Sequence, residues 1–321
     1  MNNRVKILLK SLVGLALLLL LLRQVHVRDS LALVSETRPL PFLLAFCLVV
    51  VCNLLSVARW KIMLHAAGAH IGFWRLFLVN MLGIFFSTFL PGSVAGDLFK
   101  VFYISSPKDS ARLLSATVVS RVLGMVAVFG TGLAIAPLAD ARLQGQPWWP
   151  VYIAMLVVGL ACSLIPLIPG PDRLGMRVLV LLRCPDRLLR VATAMLEPIA
   201  EWRARPGSAA ASMVLALLYQ IAGPFMVLYC CTVALDASVA PADVAAIAVV
   251  ASVAFALPIS LNGIGLAEGV YVVLLGLLGV TPERAFLIAL LFRLVFTTQA
   301  LAGGLAYFVV KRKPVGVVPG S

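Results

Sequence analysis

Four ionisable residues stand in otherwise apolar surroundings: Asp97, Arg121, Glu268 and Arg293. Each costs about 2.5–3.5 kcal/mol at the centre of a spanning helix on insertion scales, so such residues mark pathways, relays or buried pairs. Each carboxylate follows a run rich in helix breakers, LPGSVAGD at 90–97 and LPISLNGIGLAEG at 257–269. In both, Leu-Pro is followed by a serine, then glycine, then an acid, and a full apolar run with one buried arginine comes after. Pro91 and Pro258 remove a backbone donor and disrupt the preceding turn. Gly92, Gly96, Gly263 and Gly265 let the chain reverse and let another backbone or a ligand approach. The arginines have the chemistry to meet an anionic head group, with the carboxylates orienting them or meeting an amine or proton. The same groups would equally serve as ion pairs that pin each break. The spacing admits Asp97 with Arg121 and Glu268 with Arg293, or the swapped pairs. Asn262 lies inside the second break. Lys100 reads either as a phosphate contact at the cytoplasmic mouth or as a snorkelling interfacial lysine. Asn80, ahead of the first break, reads as satisfying a helix terminus.

The elements that must position these residues are membrane helices. The chain has 321 residues, 62% hydrophobic and 12% charged, with a mean hydropathy of +1.06. Soluble domains are about 45–50% apolar and about 25% charged. The net charge of +13 fits Lys and Arg gathered in cytoplasmic loops against anionic lipid, and no aromatic-plus-basic stretch suggests nucleic acid. The cysteines (47, 52, 162, 184, 230, 231) form no C-x-x-C and read as small buried residues. His26, His65 and His70 are scattered, so neither a metal site nor a cofactor is expected. Arg23, Gln24, His26 and Arg28 follow the first apolar run at once, which favours an uncleaved first span over a signal peptide.

About twenty apolar residues cross a bilayer as a helix. Full spans are expected at Ile7–Leu22, Leu40–Ala58, Leu113–Leu138, Trp149–Ile168, Ala209–Leu235 and Ala285–Val310. The broken runs, about 76–104 and 244–280, are too interrupted for this. Counting Lys and Arg places both termini inside, with Arg59, Lys61 and Arg75 following the second span, again inside. The first broken run then has to return to the cytoplasm as a hairpin, and the second has to enter and leave from outside. Only Arg23, Arg28, Arg38, Arg142 and Arg284 fall outside. The expectation is an all-α polytopic membrane protein, one domain over 1–321, with about six full spans and two oppositely oriented re-entrant hairpins in an inverted repeat. Irregular backbone at depth must be packed in protein or line a cavity, so the two tips are expected to form a midplane site. A cytoplasmic loop at about 170–208 carries Arg183, Arg187 and Arg190 at helical spacing, which suits either an interfacial helix or a plain basic connector.

LPGSVAGDLFK with the later SRVLG, and LPISLNGIGLAEG with the later Arg293, resemble the flippase-like transmembrane domain of the lysylphosphatidylglycerol synthases and its stand-alone relatives, hopanoid-associated members included. The resemblance runs from about 5 to 310. It implies two re-entrant hairpins and lipid translocation across a bacterial cytoplasmic membrane. Lys100 stands where the family often has arginine, and Gly124 where it often has an acid, so no head-group preference carries over. With no soluble segment after residue 313, the chain is not expected to be a complete aminoacyl-lipid synthase. The expected activity is flipping of a phospholipid or polyprenyl-type lipid with a charged head group, by a transporter rather than an enzyme. Anionic membrane lipids are the expected partners, with a lipid-modifying enzyme as a further candidate. The competing readings are a small-solute or ion carrier on the same repeat logic, and an integral membrane enzyme acting on lipids. Against the enzyme, the sequence has no histidine–aspartate cluster, no aspartate-rich metal motif and no Ser/His pair.

Overall fold

The computed structural model describes residues 33–89, 95–106, 109–164, 205–256 and 265–309. The expected first span, most of the basic loop, and the breaks holding Pro91, Gly92, Pro258, Asn262 and Gly263 lie outside the described residues. All regular elements within them are helices. We number them α1 (Pro39–Ala66), α2 (Phe73–Phe89), α3 (Ala95–Ile104), α4 (Ser110–Ile135), α5 (Trp149–Leu164), α6 (Pro206–Gln220), α7 (Met226–Ala234), α8 (Pro241–Ala256), α9 (Leu266–Leu277) and α10 (Pro282–Val309). Four of them, α1, α6, α8 and α10, begin on a proline. The missing N–H costs nothing there, because the first helical N–H groups have no intrahelical partner.

Four segments are long and apolar enough to cross a membrane: Pro39–Ala66, Ser110–Leu138, Pro206–Ala234 and Pro282–Phe308. They account for four of the six expected spans. The fifth, α5, has 16 described residues and stops at the edge of the described chain. The third crossing is not one regular helix. Ile221–Phe225, with Pro224 inside it, is a π segment between α6 and α7. In a π turn the N–H five residues on serves a carbonyl, which steps over the donor that proline lacks.

Helix α1, at 28 residues about 42 Å long, gives the molecule its two ends. At its start, the Arg38 N–H donates to the Ala234 carbonyl (2.8 Å) and the Arg38 guanidinium meets Asp236 at 2.9 Å. At its finish, Arg205 donates to the Ala66 carbonyl (2.6 Å). Helix α2 starts beside the Ala66 end. The Asp140 N–H, just beyond α4, donates to the buried Asp243 of α8 (2.6 Å). Arg142 donates to the Leu278 carbonyl at the finish of α9 (3.0 Å). The α2–α3 pair thus opens toward one end of α1 and the α8–α9 pair toward the other.

The contacts within the first pair fix its direction. Gly83 faces Lys100, Gly96 faces Ser87 and Gly83, and the rings of Phe86 and Phe99 stack at 3.9 Å. As one residue number rises the other falls, so α2 and α3 run antiparallel. Added Cβ atoms at Gly96 and Gly83 would overlap the Gly83 carbonyl and the Lys100 side chain respectively, so the two glycines allow this approach.

Polar contacts lock α1 to its neighbours. Asn80 of α2 donates to Asn53 of α1 (2.7 Å), and Asn53 donates to the Met81 sulfur. Asn80 lies within α2 and serves another side chain, so the expected helix-terminus role does not hold. The Trp60 indole donates to Thr117 of α4 (3.0 Å). Around these contacts, Val57, Met63, Leu64, Leu76, Ile104 and Leu113 form one buried apolar cluster. Leu156, Leu228, Ile247, Leu275 and Ile288 anchor a second. Residues Val244–Val249 are all buried, so this part of α8 is surrounded by protein on every side. Gly303 and Gly304 seat α10 on Met81 and Phe85 of α2, an intrachain contact.

Two expectations need correction. Cys47 and Cys162 are exposed, not buried, whereas Cys52, Cys230 and Cys231 are buried. His65 and His70 are not scattered, since their rings meet edge-on at 4.2 Å.

Candidate functional site

Asp97 is the third residue of α3 and Glu268 the third of α9. Arg121 is the twelfth residue of α4 and Arg293 the twelfth of α10. The two halves therefore place acid and base at matching helical positions. A carboxylate in the first turn is stabilised by the free N–H groups and the positive helix end.

Each acid meets the arginine of its own half, across separations of 24 and 25 residues. Asp97 uses both oxygens: Oδ2 takes Arg121 at 2.8 Å and Oδ1 takes Lys100 at 3.0 Å. Lys100 also lies 5.8 Å from the centre of the Trp60 ring. It thus binds a carboxylate inside the protein and does not snorkel away from it. Glu268 pairs with Arg293 through one oxygen. Its other oxygen accepts the Gly265 N–H at 2.9 Å, a reach back from the third helical residue to the cap. Gly265 has φ +78°, a left-handed conformation that favours glycine at this cap. The Glu268 side chain is only 2% exposed, against 25% for Arg293.

A cavity of about 400 Å³ lies between the halves, within the 300–1,000 Å³ range of ligand pockets. Ile84 and Thr88 of α2 reach it, as do Glu268 of α9 and Arg293 of α10. Most of its wall is apolar, including Val128, Phe292 and Phe296, with Thr88, Tyr219, Gln220 and Thr297 as further polar groups. Pro224 of the π segment also lines it. π segments recur at functional sites. Glu268 and Arg293 thus reach the cavity wall, whereas Asp97, Lys100 and Arg121 form a separate cluster beside it.

One residue, Arg59, joins the two clusters. Helix α1 continues through Ala66, eight residues beyond the expected end at Ala58, so Arg59 and Lys61 lie on the helix. The Arg59 guanidinium carbon sits 5.9 Å from the centre of the Tyr219 ring, and Tyr219 lines the cavity. Its Nη1 lies 3.0 Å from where a side chain at Gly124 would begin. Arg121, Gly124 and Val128 follow one another along a face of α4, linking the Asp97 cluster, Arg59 and the cavity. Tyr219, Gln220 and the π segment fall in the run 209–235, expected as a plain span, although Gln220 and Gly223-Pro224 inside it are a sequence signal that could have marked them.

Comparison with known proteins agrees with this architecture. A UPF0104 membrane protein of Methanocaldococcus jannaschii is 31% identical over 91 residues. That match covers 27% of this chain and 27% of the relative, so it spans little more than a quarter of the relative's length. The family model of the lysylphosphatidylglycerol synthase transmembrane region matches residues 7–303. This chain is a multi-pass helical membrane protein that belongs to the lysylphosphatidylglycerol synthase transmembrane-region family.

Proposed function

We propose that the protein translocates a lipid with a charged head group across the membrane, as a transporter and not as an enzyme. The observation that carries this reading is the cavity shared by both halves, apolar over most of its wall with the Glu268–Arg293 pair on it. A wall of this kind suits an amphipathic substrate, with the pair for the head group and carbon for the chain. In this reading the α2–α3 and α8–α9 pairs are re-entrant hairpins. Helices α3 and α9, of 10 and 12 residues, are about 15 and 18 Å long, well short of the roughly 30 Å hydrocarbon core. Backbone ending at that depth has to be covered by protein or line a cavity. The end bearing Ala66 and Arg205 faces the cytoplasm of a bacterial cell, with both termini on that side, as the weight of basic residues favours.

The test is a reconstituted assay that follows labelled anionic, zwitterionic and cationic lipids from one leaflet to the other. Glu268→Gln and Arg293→Ala are expected to abolish translocation while the protein still inserts. Full translocation by both variants would sink the assignment.

A further inference from the structure

Gln220 stands in an apolar span, and only 5% of it is exposed. It is the last residue of α6, and its side chain makes no cap hydrogen bond to the π segment that follows. It lines the cavity, and its amide has no hydrogen-bond partner among the described residues. Tyr271 of α9 is in the same position. It is 2% exposed, its ring packs 5.4 Å from that of Phe292, and its hydroxyl also lacks a partner among the described residues on the cavity wall. Tyr271 follows Glu268 by three residues, so the two share a face of α9. Buried polar side chains are nearly always hydrogen-bonded, and an unmet one costs stability that an apolar residue would not. The chemistry of the two groups says what would meet them. Both are uncharged, so neither competes with Arg293 or Glu268 for a charge. A glutamine amide has two donors and an acceptor, and a tyrosine hydroxyl has one donor and an acceptor. A phosphate or ester oxygen only accepts and would leave the amide oxygen unmet. Neighbouring hydroxyls both donate and accept, and so satisfy the amide at both ends. Ser252 adds an acceptor, since its Oγ donates to the Ala248 carbonyl at 2.8 Å and keeps its lone pairs for the cavity it lines.

We propose that Gln220 and Tyr271 form an uncharged subsite that binds hydroxyls, so that the substrate carries a polyol next to the charge met by Glu268 and Arg293. The Gln220 Nε2 donates to one hydroxyl, its Oε1 accepts from the neighbouring one, and Tyr271 adds a third hydrogen bond. The inference rests on the lipid-translocation reading for the chain that carries the polyol, but the polyol itself rests on Gln220 and Tyr271.

The experiment measures ligand-induced thermal stabilisation of the detergent-purified full chain, titrated with three probes. Dihexanoylphosphatidylglycerol carries a charge and two neighbouring hydroxyls. Dihexanoylphosphatidylpropanol carries the same charge and no hydroxyl. Glycerophosphoglycerol has the charge and the hydroxyls without acyl chains. The wild type is expected to bind the glycerol lipid about tenfold to a hundredfold more tightly than the propanol lipid, the worth of two neutral hydrogen bonds. Gln220→Met, which keeps the side chain's length, should remove most of that preference, and Tyr271→Phe about threefold to tenfold of it. Binding of the propanol lipid should stay the same in both, since it offers them no hydroxyl, whereas a merely structural role would shift both lipids together. Gln220→Met should melt no lower than the wild type, because it removes an unmet buried amide. Equal binding of the two lipids by the wild type would overturn the proposal, as would a wild-type preference in either variant or no response to any probe. Equal binding together with active lipid translocation would discard the subsite and keep the transport reading. Gln220-dependent binding of glycerophosphoglycerol as tight as that of the lipid would keep the subsite and count against lipid translocation.

Discussion

The Glu268–Arg293 contact makes a quantitative prediction through a double-mutant cycle. Glu268→Gln keeps the shape and one acceptor for the Gly265 N–H, but it removes the charge facing Arg293. Arg293→Gln leaves a carboxylate that is 2% exposed and held by the Gly265 cap N–H, whereas Glu268→Gln leaves a guanidinium that is 25% exposed. Breaking a buried pair from one side costs about 3–5 kcal/mol. The better-buried survivor puts Arg293→Gln near the upper end, and Glu268→Gln near 3 kcal/mol or below. In the double variant both charges are gone and an amide pair can replace them. It should therefore be more stable than the summed singles by about 2–3 kcal/mol. Equilibrium unfolding in mixed micelles, titrated with SDS, gives the four stabilities. Singles that add within about 0.5 kcal/mol would show that the two charges do not act on each other. The same four proteins separate pinning from transport. A double variant that regains stability but stays inactive in vesicles supports a pair that handles substrate. One that regains full translocation makes the pair a structural clasp and removes it from the mechanism.

Two further outcomes follow from geometry. Gly265→Ala should destabilise by about 1–2 kcal/mol, the cost of a left-handed non-glycine residue, with Gly265→Asn milder; equal stability of all three in the same SDS titration would mean the cap is not held at φ +78°. At the opposite end from Ala66, the hydrogen bonds from Arg142 hold the half-buried Asp140 carboxyl below its usual range. A lowered folded pKa gives a contribution that is present above the ordinary carboxylate range and lost as pH falls through the lowered value, so amide protection across 139–146, the exchange rate referred to the intrinsic rate at each pH, should fall on acidification below about pH 4. Asp140→Asn should show low protection at every pH, and wild-type protection that does not change with pH would contradict the coupling.

Much of the site could be read from residue order. The repeated acid–arginine spacing and the paired breaks pointed to two related halves, because an ionisable residue in an apolar run stands out whatever its partner. The partner itself did not follow, since nothing local distinguishes Arg121 from Arg293 as a mate for Glu268; only the helix packing decides it. For a related reason, the contact of Arg59 with Tyr219 does not follow from sequence. Arg59 precedes Trp60 and Lys61 near the end of an apolar run, the usual pattern of an interfacial anchor, and a charge count cannot see that α1 carries it against Tyr219. Lys100 was ambiguous until Gly83 and Gly96 brought α2 and α3 close enough to fold its stem inward. Gln220 and Gly223-Pro224 interrupt the run 209–235 and mark it as irregular, but residue types alone do not specify that the irregularity is a π turn.

That turn also has a consequence for helical phase. An α-helix advances 100° per residue, from 3.6 residues per turn, and one extra residue in a turn offsets everything after it by about that angle. Ile221–Phe225 therefore sets the azimuth of α7 relative to α6. Tyr219 and Gln220 point toward the cavity while Val227, Leu228 and Cys231 are buried in the second apolar cluster. Deleting one residue from this segment would leave a span of nearly unchanged hydropathy. It would also rotate one half against the other and turn either the cavity wall or the apolar face away from its neighbours. The aiming of this helix is thus encoded as a count of residues and not as their polarity.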